Sequence, residues 1–231
     1  MWTIDVIDGM DVDLFQPESG TRALGVLLFL HDRDGITLPS IADAATWLDG
    51  KPLAVACPHG GECWWTSRLC QGFLPQLSAE RWLCDELLPS LKALWGNVPI
   101  ALAGIGMGGL GALRIAFKHP EIFPVVATLD AAVDCHDLYY EGTLLDELYS
   151  SREHCRQDSP VLHVNQIAHP GHIFMACASA SRWERGNDRL HEKLSALGVP
   201  HHYTTEQHEV SLAAMLQFAF DAIQTESRRL F

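Results

Sequence analysis

The stretch Pro99-Ile100-Ala101-Leu102-Ala103-Gly104-Ile105-Gly106-Met107-Gly108-Gly109 decides the fold. Its first half is a short, continuous apolar run, which is typical of a strand buried on both faces of a sheet. After it, apolar residues recur at helical spacing, at Leu110, Leu113 and Phe117. The glycines allow the strand and the helix to approach closely, because no β-carbon separates them. The stretch therefore predicts a buried strand, a tight turn and a helix.

The spacing of these glycines matches the G-x-S-x-G template, in which a strained turn lifts a serine hydroxyl above the sheet. Gly106 stands at the serine position. Glycine reaches that backbone region at little steric cost, so it relaxes the turn without breaking it. The sequence therefore predicts a well-folded protein that lacks the attacking oxygen.

The length, charge and composition of the chain limit the classes of protein to which it can belong. The chain has 231 residues, of which 48% are hydrophobic, enough for one domain with a sizeable core. No apolar run reaches the roughly 18 residues of a membrane span, and the N-terminal residues do not resemble a signal peptide, so we expect a cytoplasmic protein. A net charge of −13 works against nucleic acid and anionic membranes as partners. Seven cysteines without a C-x-x-C pair predict free, mostly buried thiols.

Apolar runs alternate with amphipathic stretches along the chain. An antiparallel strand pair is predicted at the start, around Asp8-Gly9. Further strands are predicted at 23–31, 52–57, 100–103, 123–129, 173–178 and 201–205, and helices at 38–48, 79–95, 109–118, 184–197 and 211–227. This order predicts a single α/β domain over residues 1–231, with a mostly parallel central sheet, helices on both faces, and sites at the C-terminal strand ends. The alternation lapses at about 135–165, where we expect a small lid-like insertion.

Several segments resemble one family. Residues 108–114 and 118–123, GGLGALR and KHPEIF, are similar almost letter for letter to the elbow helix of the putative-esterase branch of the α/β-hydrolases. That group contains esterase D, S-formylglutathione hydrolase, feruloyl esterases and the mycolyltransferases. Pro58 to Thr66 resembles the family's loop before the substrate cleft, and later segments also match, at 158–160, 189–194 and 198–201. The resemblance runs from about Ala23 to the C-terminus and implies the α/β-hydrolase fold.

The resemblance also assigns positions to the parts of an acyl-transfer site, which needs a nucleophile, a base and an acid. The nucleophile falls on Gly106, which can form no acyl-enzyme. The acid falls on Ser181 or a residue beside it, and Ser181 has no charge with which to hold an imidazolium. The base falls on His208. Two of the three positions therefore lack the group that the chemistry requires.

The same resemblance assigns the amide donors of the oxyanion hole to Met107 and Arg33. The family's His-Gly, after the first parallel strand, appears here as His31-Asp32-Arg33-Asp34. Asp32 and Asp34 place negative charge beside a pocket that should accept an anion, which indicates an oxyanion hole that is no longer maintained.

An alternative chemistry stays open. Some α/β-hydrolases carry their acid after the strand that ends near Leu129, so Asp130 is a candidate partner for His208. Such a pair could act as general base on a water at the vacated hydroxyl position, giving hydrolysis without a covalent intermediate. Against it, removal of the nucleophile from a comparable triad costs about 10⁶ in rate.

Two further clusters contain residue types that can bind ligands. Trp64 and Trp65 are adjacent in the loop before the cleft and are predicted to line an apolar ligand pocket, or else to cap the core. Cys57, His59 and Cys63 lie close in sequence, but none of their spacings is typical of zinc ligands, and we expect no metal and no cofactor.

Three functional hypotheses follow. The first is a catalytically silent esterase-family protein that binds a small molecule, such as an ester or acyl ligand, or a protein partner. The second is a carboxylic-ester hydrolase that uses the water-based mechanism. The third is a protein whose fold serves an assembly role, and a homo-oligomer stays open. Several altered positions occur together, which favours the silent protein.

Overall fold

The computed structural model describes residues 1–18 and 20–230, with the side chain of Leu230 left out. An eight-stranded sheet has the order β1-β2-β4-β3-β5-β6-β7-β8. Its strands are β1 (Trp2–Ile7), β2 (Met10–Phe15), β3 (Gly25–Leu30), β4 (Leu53–Pro58), β5 (Ile100–Ile105), β6 (Val125–Leu129), β7 (His172–Ala176) and β8 (His202–Thr204). The pairings β1·β2 and β2·β4 are antiparallel, and all others are parallel. The predicted fold class, including the leading antiparallel pair, is confirmed.

The first hairpin closes through the two-residue turn predicted at Asp8-Gly9. Both residues have positive φ, 44° and 79°, and Ile7 pairs with Met10 across the turn. Positive φ at both central residues matches the twist of the flanking strands, and Asp-Gly is a favoured pair for that conformation.

Nine helical segments cover the sheet within the described residues, counting a π-helical stretch at Leu83–Leu87 and leaving out the short 3₁₀ turns. They are α1 (Ala42–Leu48), α2 (Ala79–Trp82), the π-helical stretch, α3 (Leu88–Trp95), α4 (Met107–Lys118), α5 (Leu145–Leu148), α6 (Arg152–Arg156), α7 (Glu184–Ala196) and α8 (Leu212–Leu230). The helix predicted at 79–95 is thus divided. Pro89 explains the division, because it lacks an N–H and its ring would meet the carbonyl four residues earlier. The amide of Leu88 instead bonds to Leu83, five residues back.

The central strands are buried on both faces, as their apolar runs predict. In β3, Val26, Leu28 and Leu30 belong to a core shared with α4 and α7, whereas Leu27 and Phe29 belong to a second core shared with α1 and α8. No helix of the described residues is long and apolar enough to cross a membrane.

The segment between β6 and β7 contains α5, α6 and two 3₁₀ turns, Cys135–Leu138 and Pro160–Leu162. Leu145, Tyr149 and Cys155 are buried in the same core as α4. The segment predicted as an insertion therefore packs closely against the domain, and its lid-like role stays a prediction.

A buried ion network fixes α4, the helix behind the glycine turn. Arg114 is fully buried and donates to Glu80 at 2.5 Å, to Asp158 at 2.8 Å and to Ser67 at 2.8 Å. Tyr149 donates to the other Asp158 oxygen at 2.7 Å. Buried carboxylates of this kind are stable only when paired, so the network holds α2, α4 and the chain before β7 in one arrangement.

Burial alone would raise the pKa values of Glu80 and Asp158. For Glu80 the positive charges of Arg114 and Lys118 reverse the effect and lower the pKa. For Asp158 a hydrogen bond from His163, together with the charge of Arg114, lowers the pKa well below its usual range. Both groups are therefore held ionised in the folded state.

Candidate active site

The glycine turn has the geometry of a nucleophile elbow. Gly106 joins β5 to α4 with φ 53° and ψ −114°, a region that favours glycine. Its amide donates to Leu129 at 3.1 Å, and its carbonyl accepts from Leu110 at 3.0 Å and from Ala132 at 2.9 Å. The elbow is therefore fully formed and anchored to β6, although it has no side chain at its apex.

Asp32 fills the space above this elbow. A β-carbon added to Gly106 would overlap Cγ and both carboxylate oxygens of Asp32. The amide of Met107, the implied oxyanion donor, donates to Asp32 Oδ1 at 2.8 Å. A carboxylate from the end of β3 thus stands where the first side-chain atom of a nucleophile would be, and it already binds an amide that would stabilise an oxyanion.

A buried histidine fixes the backbone beside Asp32. His31 is 1% exposed, and burial lowers its pKa, which favours the neutral ring. Its Nδ1 lies 2.6 Å from the Asp32 carbonyl and its Nε2 lies 3.0 Å from the Gly60 amide. Since the carbonyl can only accept and the amide can only donate, Nδ1 carries the proton. Trp65 Nε1 donates to the His31 carbonyl at 3.3 Å, so the turn that carries Asp32 is held from three sides.

Arg33, the second implied donor, is exposed. Its guanidinium donates to Glu62 at 2.7 Å and lies 5.9 Å from the ring centroid of Trp64. The charge of Arg33 is therefore paired with that of Glu62 at the protein surface. The role of the Arg33 amide as an oxyanion donor stays a prediction.

Trp64 and Trp65 do not line a cleft. Both are 0% exposed and lie in the core, which corrects the prediction that they contact a ligand. Each has a positive φ, 56° and 49°, which turns the chain inward at this point. Trp65 packs so closely on α4 that a β-carbon at Gly111 would overlap it. The two rings therefore cap the core, the alternative that the sequence left open.

Asp130 and His208 bind different partners. Asp130 Oδ1 accepts from the Ala178 amide at 2.9 Å and from the Cys177 thiol at 3.3 Å. The His208 side chain is 79% exposed, and within the described residues its nearest carboxylate is Glu209, at 4.0 Å. The structure does not bring Asp130 and His208 into contact, so the general-base pair required by the water-based mechanism is not assembled.

Ser181, the implied acid position, has a structural contact. Its hydroxyl accepts from the Trp183 amide at 3.3 Å, just before α7. Nearby, an open cavity of about 570 Å³ lies at the C-terminal ends of β7 and β8. It is lined by Ala178, Ser179, Thr205, Glu206, Gln207 and Val210. Over the described parts of the chain, no group of three histidine, cysteine, aspartate or glutamate side chains could hold a metal ion.

The strand order, the elbow and the positions of its neighbouring loops define an α/β-hydrolase fold. The model of the family described as "Putative esterase" matches residues 70–225, more than half of the sequence. The chain belongs to this family.

Known relatives agree with this assignment. Esterase Rv1288 of Mycobacterium tuberculosis is 25% identical over 193 residues, covering 70% of this chain and 41% of that protein. This chain therefore spans about two fifths of that relative's length. Fluorophosphonate-binding serine hydrolase F, FphF, of Staphylococcus aureus superposes with a TM-score of 0.76 and 14% identity, covering 98% of this chain and 97% of that one. A ferulic acid esterase has a TM-score of 0.72 and 16% identity, with the same coverage of both chains. At these identities the solved structures show the fold alone.

Sequence reasoning located the elbow but missed what fills it. The signal was present as His31-Asp32, where the resemblance implies His-Gly. That pattern indicated negative charge near the pocket, but it did not indicate that the carboxylate would bond to an amide 75 residues away.

Proposed function

We propose that this chain is a catalytically silent member of the esterase family. The observation that carries the proposal is the position of Asp32, whose carboxylate occupies the nucleophile's space and bonds to the Met107 amide. An acyl-enzyme cannot form at Gly106, because glycine has no side-chain oxygen. Two curated relatives are named esterases, whereas Gly106 leaves this chain without the serine oxygen of the G-x-S-x-G template.

Asp32 also counts against the water-based alternative. Hydrolysis of an ester develops negative charge on the carbonyl oxygen, and this charge would form beside the Asp32 carboxylate. Two unit charges about 4 Å apart repel by about 4 kcal/mol at an effective dielectric constant near 20. Such a penalty corresponds to about a thousand-fold in rate, in addition to the loss of the nucleophile.

We propose that a small ligand binds in the open cavity at the ends of β7 and β8, which lies on the same edge of the sheet as the filled elbow. Its lining combines backbone, hydroxyl and amide groups with the carboxylate of Glu206. These groups suit a polar or cationic molecule better than an acyl anion.

Hydrolysis of p-nitrophenyl acetate tests the proposal. We expect the wild-type chain and His208→Ala to give the same rate, equal to that of heat-inactivated protein, and no covalent labelling by a fluorophosphonate probe. Labelled protein would reveal a nucleophile elsewhere in the fold. A rate above background that falls in both His208→Ala and Asp130→Asn would instead support the water-based mechanism.

A further inference from the structure

Two buried thiols lie side by side in the segment between β6 and β7. The sulfur atoms of Cys135 and Cys155 are 3.7 Å apart. Cys135 is 3% exposed and Cys155 is 0% exposed, so both thiols are buried in the core. Cys135 begins the 3₁₀ turn that follows β6, whereas Cys155 lies on α6.

We propose that Cys135 and Cys155 are a disulfide-forming pair, which closes when the chain folds in the presence of a small-molecule disulfide. A disulfide bond is about 2.05 Å long, so the two sulfurs must approach by less than the width of one atom. The proposal does not depend on whether the chain hydrolyses esters, because neither cysteine contacts Gly106 or Asp32.

The exchange balances without a metal or a further cofactor. The thiolate of one cysteine attacks a sulfur of the small disulfide, forms a mixed disulfide and releases one small thiolate. The thiolate of the second cysteine attacks the protein sulfur of that mixed disulfide and releases the second small thiolate. The two cysteines lose two protons and two electrons, and the small disulfide is reduced to two thiols.

Folding is the stage at which this reaction is favoured. In the folded chain the hydrogen bond to Cys155, together with burial, raises the pKa of the Cys135 thiol well above its usual value. The thiolate is the attacking species, so the packed pair reacts slowly. In the unfolded chain both thiols are exposed to solvent, and folding then brings the two sulfurs together.

The closed bond would join two residues 20 positions apart and tie α6 to the end of β6. It would enclose α5 and Tyr149, whose hydroxyl bonds to Asp158 of the ion network. Oxidation would therefore stabilise the segment that covers α4. We expect a rise in Tm of about 5 to 10 °C for a chain of this size.

Refolding followed by peptide mapping tests the pair. Reduced, denatured protein is refolded in a mixture of reduced and oxidised glutathione, the free thiols are alkylated, and the protein is digested with trypsin without reduction. Cleavage after Lys118, Arg152 and Arg156 separates the cysteines, so the bond would link peptide 119–152 to peptide 153–156. We expect this linked pair and five alkylated cysteines.

Two variants serve as controls. Cys84→Ser removes a partly exposed thiol and should leave the linked peptides unchanged. Cys155→Ser should abolish them together with the rise in Tm. If refolding yields are low, native reduced protein is held with excess oxidised glutathione for several days and mapped in the same way. Seven alkylated cysteines in both experiments, or a dominant bond between other cysteines such as Cys63 and Cys70, would overturn the proposal.

Discussion

Restoring serine at position 106 should destabilise this protein, although serine is the residue that the elbow template requires. In Gly106→Ser the new β-carbon overlaps the Asp32 carboxylate, which must swing away and release the Met107 amide. Loss of a hydrogen bond to a charged group costs about 1.5–3 kcal/mol. A non-glycine residue held in this strained backbone region costs about 1–3 kcal/mol more. We expect a total loss of about 2.5–6 kcal/mol in the free energy of unfolding.

Three further variants separate these contributions: Gly142→Ser, Asp32→Ala, and Asp32→Ala combined with Gly106→Ser. Gly142→Ser places serine at another left-handed glycine, with φ 74° and no atom within 4 Å of the added β-carbon, so only the backbone cost of about 1–2 kcal/mol applies. In an Asp32→Ala background the clash at Gly106 is removed. There the same Gly106→Ser change should cost only its backbone strain.

Urea unfolding followed by tryptophan fluorescence measures the stabilities of all five proteins: the wild type, Gly106→Ser, Gly142→Ser, Asp32→Ala and the double variant. The difference between the cost of Gly106→Ser in the two backgrounds is the coupling between positions 32 and 106, expected at about 1.5–3 kcal/mol. The explanation fails if Gly106→Ser costs no more than Gly142→Ser, or if removal of the carboxylate leaves its cost unchanged.

Four other predictions concern the groups around α4 and β3. Arg114→Met should lower the free energy of unfolding by about 3–5 kcal/mol at pH 7, because it removes the buried guanidinium that bonds both Glu80 and Asp158. Urea titration measures the loss, and a cost below about 1 kcal/mol would contradict the role of the network. The pKa values of Glu80 and Asp158 are lower in the folded chain than in the unfolded chain, where they are near 4, so ionisation of these groups stabilises the fold at higher pH. This stabilisation should be lost as the pH falls below about 4. In a series of urea midpoints at decreasing pH, the stability of Arg114→Met should therefore fall less steeply than that of the wild type. Burial lowers the pKa of His31, so the contribution of His31 to the free energy of unfolding is complete above its unfolded pKa near 6.5 and is lost as the pH falls below that value. His31→Gln should remove this part of the dependence of stability on pH. An unchanged slope between about pH 6.5 and 5 would argue against a neutral, buried ring. Gly111→Ala should destabilise the chain by about 1–3 kcal/mol in thermal unfolding, since the added methyl group overlaps Trp65; a variant as stable as the wild type would show that the ring can move aside.

The fold could be predicted because its signals are local. The apolar run before Gly104 and the helical spacing of Leu110 and Leu113 can be read from neighbouring residues. A short, continuous apolar run is typical of a parallel strand that is buried on both faces of a sheet. The sequence analysis predicts one undivided helix over 79–95 and misses its division, although the cause is local, because Pro89 lacks an amide hydrogen.

The site could be predicted only in part, because its decisive contact is not local. That Gly106 leaves the elbow without an oxygen follows from one letter of the sequence. Asp32 takes the space above Gly106 because the end of β3 lies close to the end of β5. The spacing of residues along the chain does not predict this tertiary distance. Trp64 and Trp65 were misjudged for a related reason, since two left-handed residues in succession turn an apparently cleft-facing loop into the core.

The filled elbow imposes an order on the substitutions by which this sequence could acquire a serine at 106. A lineage that acquires serine at 106 while it keeps Asp32 would lose stability before it gained an activity on which selection could act. Asp32 therefore has to be replaced before Gly106. Replacement of Asp32 alone supplies no nucleophile, because Gly106 still has no side chain. The effect of serine at 106 therefore depends on the residue at 32, and this dependence opposes the appearance of a serine nucleophile in descendants of this sequence.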